Sequence, residues 1–519
     1  MDFQVKFLQP TGTVAATVPV GTTVLAAARQ AGILLESPCN GNGTCGKCRV
    51  KVAKVIRLAC QASVESDLDV EILNRRDSHD VQILQHGHAL AITVDNRMSK
   101  EYDAATDTTR IVADGEVLGV EVGNTASAHY GIVVDIGTTT LVTALYNLNS
   151  GEEIASTAEL NPQSHHAQDV LSRIKLASTA EGLQLLHSDF IQALNRMIRV
   201  VVEQSEIDLH HIYEIVFSGN TCMLHLAINV NPVSMGKFPY TPAIYGDESY
   251  RADQYGIEIA PFAQIYLPPV MSAYVGADIT SGVLAAQLEK LKGITLFVDI
   301  GTNGEMILAV DGRMVATSTA AGPAFEGMNI ACGMRAAPGA IEKFRLDENG
   351  ETEVTTIGDQ PAIGICGSGL VDIIGELVKH GHIRPNGKLA ESPFQVTEKV
   401  FVSQKDIRQV QLAKGAIRAG IETMLERTGV QAEAVDRVYI AGSFGYHLNP
   451  DSLIHIGLLP PTFRDKIEFL GNTSKTGGQA FLLNQSLRRK MAKLVETVEI
   501  IELATIGNFD KLFIHCLSF

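Results

Sequence analysis

Four cysteines fall between positions 39 and 60 in the pattern C-x5-C-x2-C-x11-C: Cys39, Cys45, Cys48 and Cys60. Four thiolates this close together are the donor set of a zinc site or an iron–sulfur cluster. Zinc sites usually pair two C-x2-C units, and this segment holds one, which favours iron–sulfur. Gly41, Gly43 and Gly46 lie in the same loop, where glycine lets the backbone wrap closely and aim its amides at sulfur. The other four cysteines, Cys222, Cys332, Cys366 and Cys516, are scattered and read as packing residues. In a reducing compartment such a cluster points to metal rather than to disulfides.

A second chemistry is written twice. Gly131–Thr140 reads GIVVDIGTTT and Leu296–Glu305 reads LFVDIGTNGE, with the shared V-D-I-G-T placing Asp135 and Asp299 164 residues apart. A strand that ends in aspartate and runs into a Gly-Thr turn offers amides and hydroxyls to phosphate oxygens and a carboxylate to Mg²⁺. This makes Asp135, Gly137, Thr138, Thr139 and Thr140, with Asp299, Gly301, Thr302, Asn303 and Gly304, candidates for a polyphosphate site. Glu305 and Asp372 are candidates for orienting an attacking water. A third strand runs into a glycine turn at Val438-Tyr-Ile-Ala-Gly-Ser-Phe-Gly445, where Gly442, Ser443, Phe444 and Gly445 suit the close approach of a nucleoside. Ser218-Gly-Asn-Thr221 and Ile365-Cys-Gly-Ser-Gly-Leu370 are either further connecting loops or glycines that permit close helix packing. His165 and His166 read as surface or cleft-lining histidines.

These residues require particular elements. Phe3, Val5 and Phe7 alternate as in a half-buried strand, Thr13 to Val20 is a second strand ended by Gly21, and Thr22 to Gln30 suits a helix. With RVKV after the cysteine loop, residues 1–75 fit a β-grasp module. Residues 76–130 are mixed and polar, with DAATDTT as a turn-rich patch, and read as a linker or small connecting domain. From residue 131 apolar strands, Gly-Thr turns and long helices alternate, which is α/β architecture. The repeat divides that body into lobes over 131–290 and 291–519, facing each other across a cleft.

The chain has 519 residues and a net charge of −16, which argues against non-specific binding to nucleic acid or anionic lipid. No run approaches the length of a membrane span, and residues 1–20 do not look like a secretory signal, so the expected compartment is the cytoplasm. The charge is uneven. Residues 1–75 carry +2 and the remaining 444 carry −18, and Lys47, Arg49, Lys51, Lys54 and Arg57 crowd within eleven positions beside the cysteine loop.

The cysteine spacing behind a β-grasp start resembles the 2Fe–2S ferredoxins, particularly the adrenodoxin-like spacing, with Cys60 matching their closing cysteine. Here only eleven residues separate the third and fourth ligands, fewer than is usual. The two Asp-Gly-Thr turns and the glycine turn at 442–445 resemble the phosphate 1, phosphate 2 and adenosine motifs of the actin, Hsp70 and sugar kinase superfamily (ASKHA), over about residues 131–519. That resemblance implies RNase H-like lobes and bound MgATP. The pairing of the two parts resembles the reductive activators of corrinoid-dependent enzymes. So do Asn161-Pro-Gln163 with Asp169-Val-Leu-Ser-Arg173, the FSGNT segment and Ala321–Gly327 (AGPAFEG). The resemblance implies an ATP-dependent corrinoid reductase that passes one electron from a 2Fe–2S cluster to a cob(II)alamin-type cofactor, restoring the cob(I) state for methyl transfer. Implied partners are the corrinoid protein of a methyltransferase system and an upstream electron donor, and a homodimer is an open expectation. A metabolite kinase fused to a redox module, an ATP-responsive redox sensor, and the activators of 2-hydroxyacyl-CoA dehydratases remain as alternatives. The last bind a bridging 4Fe–4S cluster and lack an N-terminal ferredoxin module, so the Cys39–Cys60 quartet speaks against them.

Overall fold

The computed structural model describes residues 2–9, 12–33, 35, 37, 41, 43, 48–53, 55–73, 90–442 and 448–519. The strands Asp2–Gln9 and Gly12–Pro19 pair antiparallel, and the helix Val24–Gln30 starts at Thr23, whose side chain accepts from the Ala26 amide. Leu68–Ile72 then inserts parallel to the first strand, and Arg49–Val52 and Val55–Leu58 complete a five-stranded sheet. The helix buries Val24, Leu25, Ala27 and Ala28 against Val5, Phe7, Val18, Val50 and Val70. This is the β-grasp arrangement the alternation of Phe3, Val5 and Phe7 called for.

The stretch read as a linker or small connecting domain holds structure of its own. Met98–Asp103, Thr108–Ala113 and Glu116–Val122 form a three-stranded antiparallel meander. Met98, Ile111 and Ala113 enter the core of the first lobe. Lys100 Nζ donates to Tyr213 Oη at 2.6 Å, and Tyr213 donates to Glu121 at 2.6 Å. Burial lowers the pKa of Lys100, while the contact with Glu121 opposes that shift.

The body is two six-stranded sheets of the same plan. In the first lobe the order is Glu153–Leu160, Thr140–Asn147, Tyr130–Ile136, Ile212–Gly219, Gln264–Leu267 and Glu248–Arg251. In the second it is Ile467–Gly471, Arg437–Ala441, Ile294–Ile300, Gly304–Val310, Arg313–Thr319 and Glu499–Ile500. Each lobe has a strand that ends in aspartate, Tyr130–Ile136 or Ile294–Ile300. Each pairs antiparallel with the strand after its Gly-Thr turn and parallel with a later strand on its other side. The sequence repeat is therefore a repeat of topology.

The lobes are joined by packing as well as by chain. Helices Ala277–Ala285 and Thr473–Leu483, one from each lobe, cross so closely that a Cβ on Gly477 would lie 1.9 Å from the Ser281 carbonyl oxygen. Val133, Ala144 and Val216 share one core with Phe297, Ile307, Ala316 and Phe481. Arg488 forms a bidentate, buried ion pair with Glu214, both bonds 2.8 Å. Its guanidinium also stacks over Tyr266 at 4.1 Å. Among the described residues, no helix is long and apolar enough to cross a membrane.

Candidate functional site

The two Asp-Gly-Thr turns meet across a cleft between the lobes. Thr139 and Thr302 hydroxyls are 3.3 Å apart, and Asp135, Thr138, Thr139, Asp299, Thr302 and Gly442 all line the space. The first turn can close because a Cβ on Gly137 would lie 2.6 Å from the Thr140 carbonyl oxygen. Gly442, just after the third strand, comes close for a similar reason. Gly442 has φ +116°, and a Cβ there would lie 2.4 Å from the Ile300 carbonyl oxygen.

Chemically the cleft is dominated by carboxylates. Asp135, Asp278, Asp299 and Glu305 converge, and among the described residues no lysine or arginine lines the space with them. Asp135 is the best supported, accepting from Asn472 Nδ2 at 2.9 Å and Ser474 Oγ at 2.7 Å, both carried over from the second lobe. Lys475 lies behind it, committed to both oxygens of Glu153 at 2.9 and 2.8 Å. Burial raises the pKa of Asp135 in spite of these donors. Burial and the Asp135 charge push Asp299 up to about 7. Burial, with the charges of Asp299 and Asp135, pushes Asp278 up to about 8. Glu305 is driven well above the ordinary range by burial and by its neighbours Asp278 and Asp299. Repelling carboxylates with no internal cation suit a divalent metal ion held together with phosphate oxygens. Two further groups point to a polar occupant: Asn220 Nδ2 and Thr473 Oγ1 line the cleft, buried and without a hydrogen-bond partner. The residues present fit a magnesium–nucleotide ligand.

Of the residues singled out from sequence, the structure brings together Asp135, Gly137, Thr138, Thr139, Thr140, Asp299, Gly301, Thr302, Asn303, Glu305 and Gly442. Gly304 sits behind them, where a Cβ would meet Ile417 and Thr319 at 2.8 and 2.9 Å. Ser443, Phe444 and Gly445 lie outside the described residues. Asp372 is not among the lining residues. It is buried on the helix Gly367–Lys379, accepts from Ser452 Oγ at 2.7 Å and is pushed up to about 6 by burial. The FSGNT segment does both things proposed for it. Gly219 and Gly276 allow close backbone approach, and Asn220 reaches the cleft. Asp278, Glu326, Asn472 and Ser474 were not singled out: Glu326 lies within the AGPAFEG segment but carried no signal of its own, and Asp278 and the Asn472–Ser474 helix start stand in segments with no motif around them. Asp278 follows a glycine at the start of a helix in YVGAD, and that glycine was the available signal.

In the N-terminal sheet Cys48 and Cys60 are both buried in the module's core. The Ala59 amide donates to the Cys48 carbonyl at 2.7 Å, and the Leu25 amide donates to the Ala59 carbonyl at 2.9 Å, so helix and both cysteine segments are tied together. Gly41 and Gly43 both have positive φ, and a Cβ on Gly43 would lie 2.9 Å from Gln61 Nε2. Both glycines thus lie close to the Cys60–Gln61 segment. Cys39 and Cys45 lie outside the described residues, as do Gly46, Lys47 and Lys54.

Three family models match consecutive parts of the chain: a 2Fe–2S iron–sulfur cluster binding domain over residues 7–69, the RACo middle region over 130–291, and the C-terminal domain of RACo, the ASKHA domain, over 293–519. The corrinoid activation enzyme RamQ of Eubacterium limosum is 32% identical over 413 residues, spanning 74% of this chain and 69% of that protein. The chain belongs to the RACo family. Another similar protein is a Co(II) methylated amine-specific corrinoid protein reductase from Methanosarcina barkeri, 26% identical over 427 residues, with 75% of this chain and 77% of that protein covered. Among solved structures, a reductive activator for corrinoid, iron–sulfur protein superposes with a TM-score of 0.76 at 29% identity, covering 100% of this chain and 98% of that one. The RACo models thus cover both lobes, and the structural superposition extends over the cluster module and the meander as well.

Proposed function

We propose that this RACo-family chain is an ATP-dependent corrinoid reductase of the cytoplasm, passing single electrons from its N-terminal module to the corrinoid of a partner protein and returning cobalt(II) to cobalt(I). The observation that carries this reading is the presence, in one chain, of a buried cysteine module and a carboxylate-lined cleft between two Asp-Gly-Thr turns. A 2Fe–2S cluster held by Cys39, Cys45, Cys48 and Cys60 supplies the one-electron redox chemistry. The chain's other residues do the rest. Asp135 and Asp299 hold the metal ion that accompanies the nucleotide, with Asp278 beside them. The Thr138–Thr140 and Thr302–Asn303 turns grip its phosphates from opposite lobes, and Gly442 to Gly445 admit the nucleoside. Glu305, whose pKa is raised by burial and by the charges of Asp278 and Asp299, orients water at the terminal phosphate. Cobalt(I) is a strong reductant, so its formation is uphill from an ordinary ferredoxin. Nucleotide binding can bias the partner toward a more reducible state only by the difference in its affinity for the two states.

An upstream donor must restore the electron after each transfer, and light scattering decides between a monomer and a homodimer. The deciding experiment mixes anaerobically reduced protein, MgATP and a cob(II)alamin-loaded corrinoid protein. The cob(I) absorption band should appear with ATP and stay absent without it. A colourless protein that contains zinc, or a band that ignores ATP, sinks the proposal.

A further inference from the structure

The Thr138–Thr139 turn is held from behind by a segment to which the proposed chemistry gives no task. The Gly137 carbonyl accepts from Asn161 Nδ2 at 2.8 Å, and the Thr138 carbonyl accepts from Arg173 Nη2. The Thr139 carbonyl accepts from the Asn161 amide at 2.9 Å. Three consecutive carbonyls are therefore turned toward residues 161–173. In a planar trans peptide the N–H of the next residue points opposite to the C=O. Drawing the Gly137 and Thr138 carbonyls backward therefore turns the Thr138 and Thr139 amides forward, toward the cleft those residues line.

Arg173 is unusual for a merely structural brace. It is fully buried, and its remaining donors go to the Ala167 carbonyl at 3.1 Å, Gln163 Oε1 at 3.0 Å and Met223 Sδ at 2.9 Å. Among the described residues no carboxylate lies within ion-pair distance of it. Asp169, the nearest acid in sequence, caps the helix Val170–Leu176 and accepts from Ser172 at 2.8 and 2.7 Å. A guanidinium buried among neutral acceptors carries a desolvation cost that a nearby anion would offset. The cleft's own anions lie across the turn, and a polyphosphate seated on the Thr138 and Thr139 amides would bring negative charge nearest to Arg173.

We infer that Arg173 and Asn161 are positioning residues for the phosphate site: together they turn the Thr138 and Thr139 amides toward the nucleotide's polyphosphate, and Arg173 adds its charge from beneath the turn. The inference rests on the MgATP reading of the cleft. Neither residue touches the nucleotide. Asn161 sets the register of the turn through two bonds, and Arg173 combines a bond with a charge.

The test compares full-length wild type, Arg173→Met, Arg173→Lys and Asn161→Asp by calorimetric titration with MgATP and, separately, with adenosine. Melting temperature and the visible spectrum report folding. Arg173→Met should weaken MgATP about tenfold or more, the scale of a charge-assisted bond, and leave adenosine within about twofold. Arg173→Lys, which keeps the charge and loses the fork, should recover part of the difference. Asn161→Asp, the same size but facing the Gly137 carbonyl with an acceptor, should also weaken MgATP selectively, and it carries the test alone if Arg173→Met does not fold. Unchanged MgATP affinity in Arg173→Met and Asn161→Asp would overturn the inference while leaving the nucleotide reading intact. So would equal losses for MgATP and adenosine. A wild type that binds no MgATP would overturn the nucleotide reading first and the brace with it.

Discussion

The two Asp-Gly-Thr turns share a sequence and a topology but not a means of support. The first is bound by side chains from elsewhere. Asn161 and Arg173 hold its carbonyls, and Asn472 and Ser474 reach across from the second lobe to its Asp135. The second is held within its own lobe. The Gly322 amide donates to the Thr302 carbonyl at 2.9 Å, and Thr302 donates its hydroxyl to Glu326. Asp299 has no hydrogen-bond partner among the described residues, and burial with the Asp135 charge pushes it up to about 7. A duplicated motif has become one supported carboxylate and one unsupported one. The supported one has donors that stabilise its charged form, whereas the unsupported one gains most from an arriving cation.

Neutralising each aspartate should separate them most sharply. Asp135→Asn and Asp299→Asn should each lower ATP-dependent corrinoid reduction by about a hundredfold or more. Their effects on stability should differ in sign. Asp299→Asn removes a buried charge with no donors, so cation-free protein at pH 8 should melt about 2 °C higher or more. Asp135→Asn strips Asn472 and Ser474 of their charged acceptor and should not stabilise. Equal shifts in the two variants would remove the distinction.

Gly477→Val attacks the first turn's support without touching the turn. The new side chain would collide with the Ser281 carbonyl and lift the helix that carries Ser474. A loss of about 2–3 kcal/mol in denaturant unfolding is expected, and unchanged stability would mean that the crossing gives way easily.

A smaller effect concerns pH. The folded protein holds protons on Asp278 and Asp299 up to about 8 and about 7, whereas the unfolded chain releases them near 4. The fold therefore binds more protons across that interval, and metal-free stability falls as pH rises through it. A divalent cation binds the deprotonated forms. MgATP affinity should therefore rise several-fold from pH 6 to pH 8, with proton release visible in calorimetry run in two buffers. Affinity flat across that range would contradict the assigned protonation.

The mildest effect lies in the cysteine module. Lys51 is already paired with Glu71 at 2.8 Å, which leaves Arg49 and Arg57 as the exposed part of the described basic stretch. If that face docks on acidic protein, reduction should slow a few-fold between low and moderate salt as screening shortens to about 10 Å. A rate indifferent to salt would exclude it.

What could be read from sequence follows from how local each signal is. Asp135 and Asp299 were legible because the strand, the carboxylate and the turn are contiguous, and because the pattern occurs twice. The alternation of Phe3, Val5 and Phe7 was legible for the same reason. Asp278, Glu326 and the Asn472–Ser474 helix start reach the cleft from three separate segments, and only tertiary packing makes them neighbours. Asp372 shows the reverse. A Gly-rich loop before a helix looked like a site element, but the helix faces Ser452 and the core. The meander at Met98–Val122 was hidden in a polar stretch because few residues, Met98, Thr109, Ile111 and Ala113, carry its buried face, while its last strand exposes Val117, Val120 and Val122.

The core shared by Val133, Ala144 and Val216 with Phe297, Ile307 and Phe481 bears on where this chain can be divided. Family models place a boundary between residues 291 and 293, yet that boundary runs along a seam where the two lobes build one core together. A fragment starting at residue 293 would present Phe297 and Phe481 to water and leave Arg488 without Glu214. Such a fragment should aggregate or remain partly unfolded. Residues 130–519, kept whole with the meander that caps them, are the smallest part of the body that keeps this interior intact.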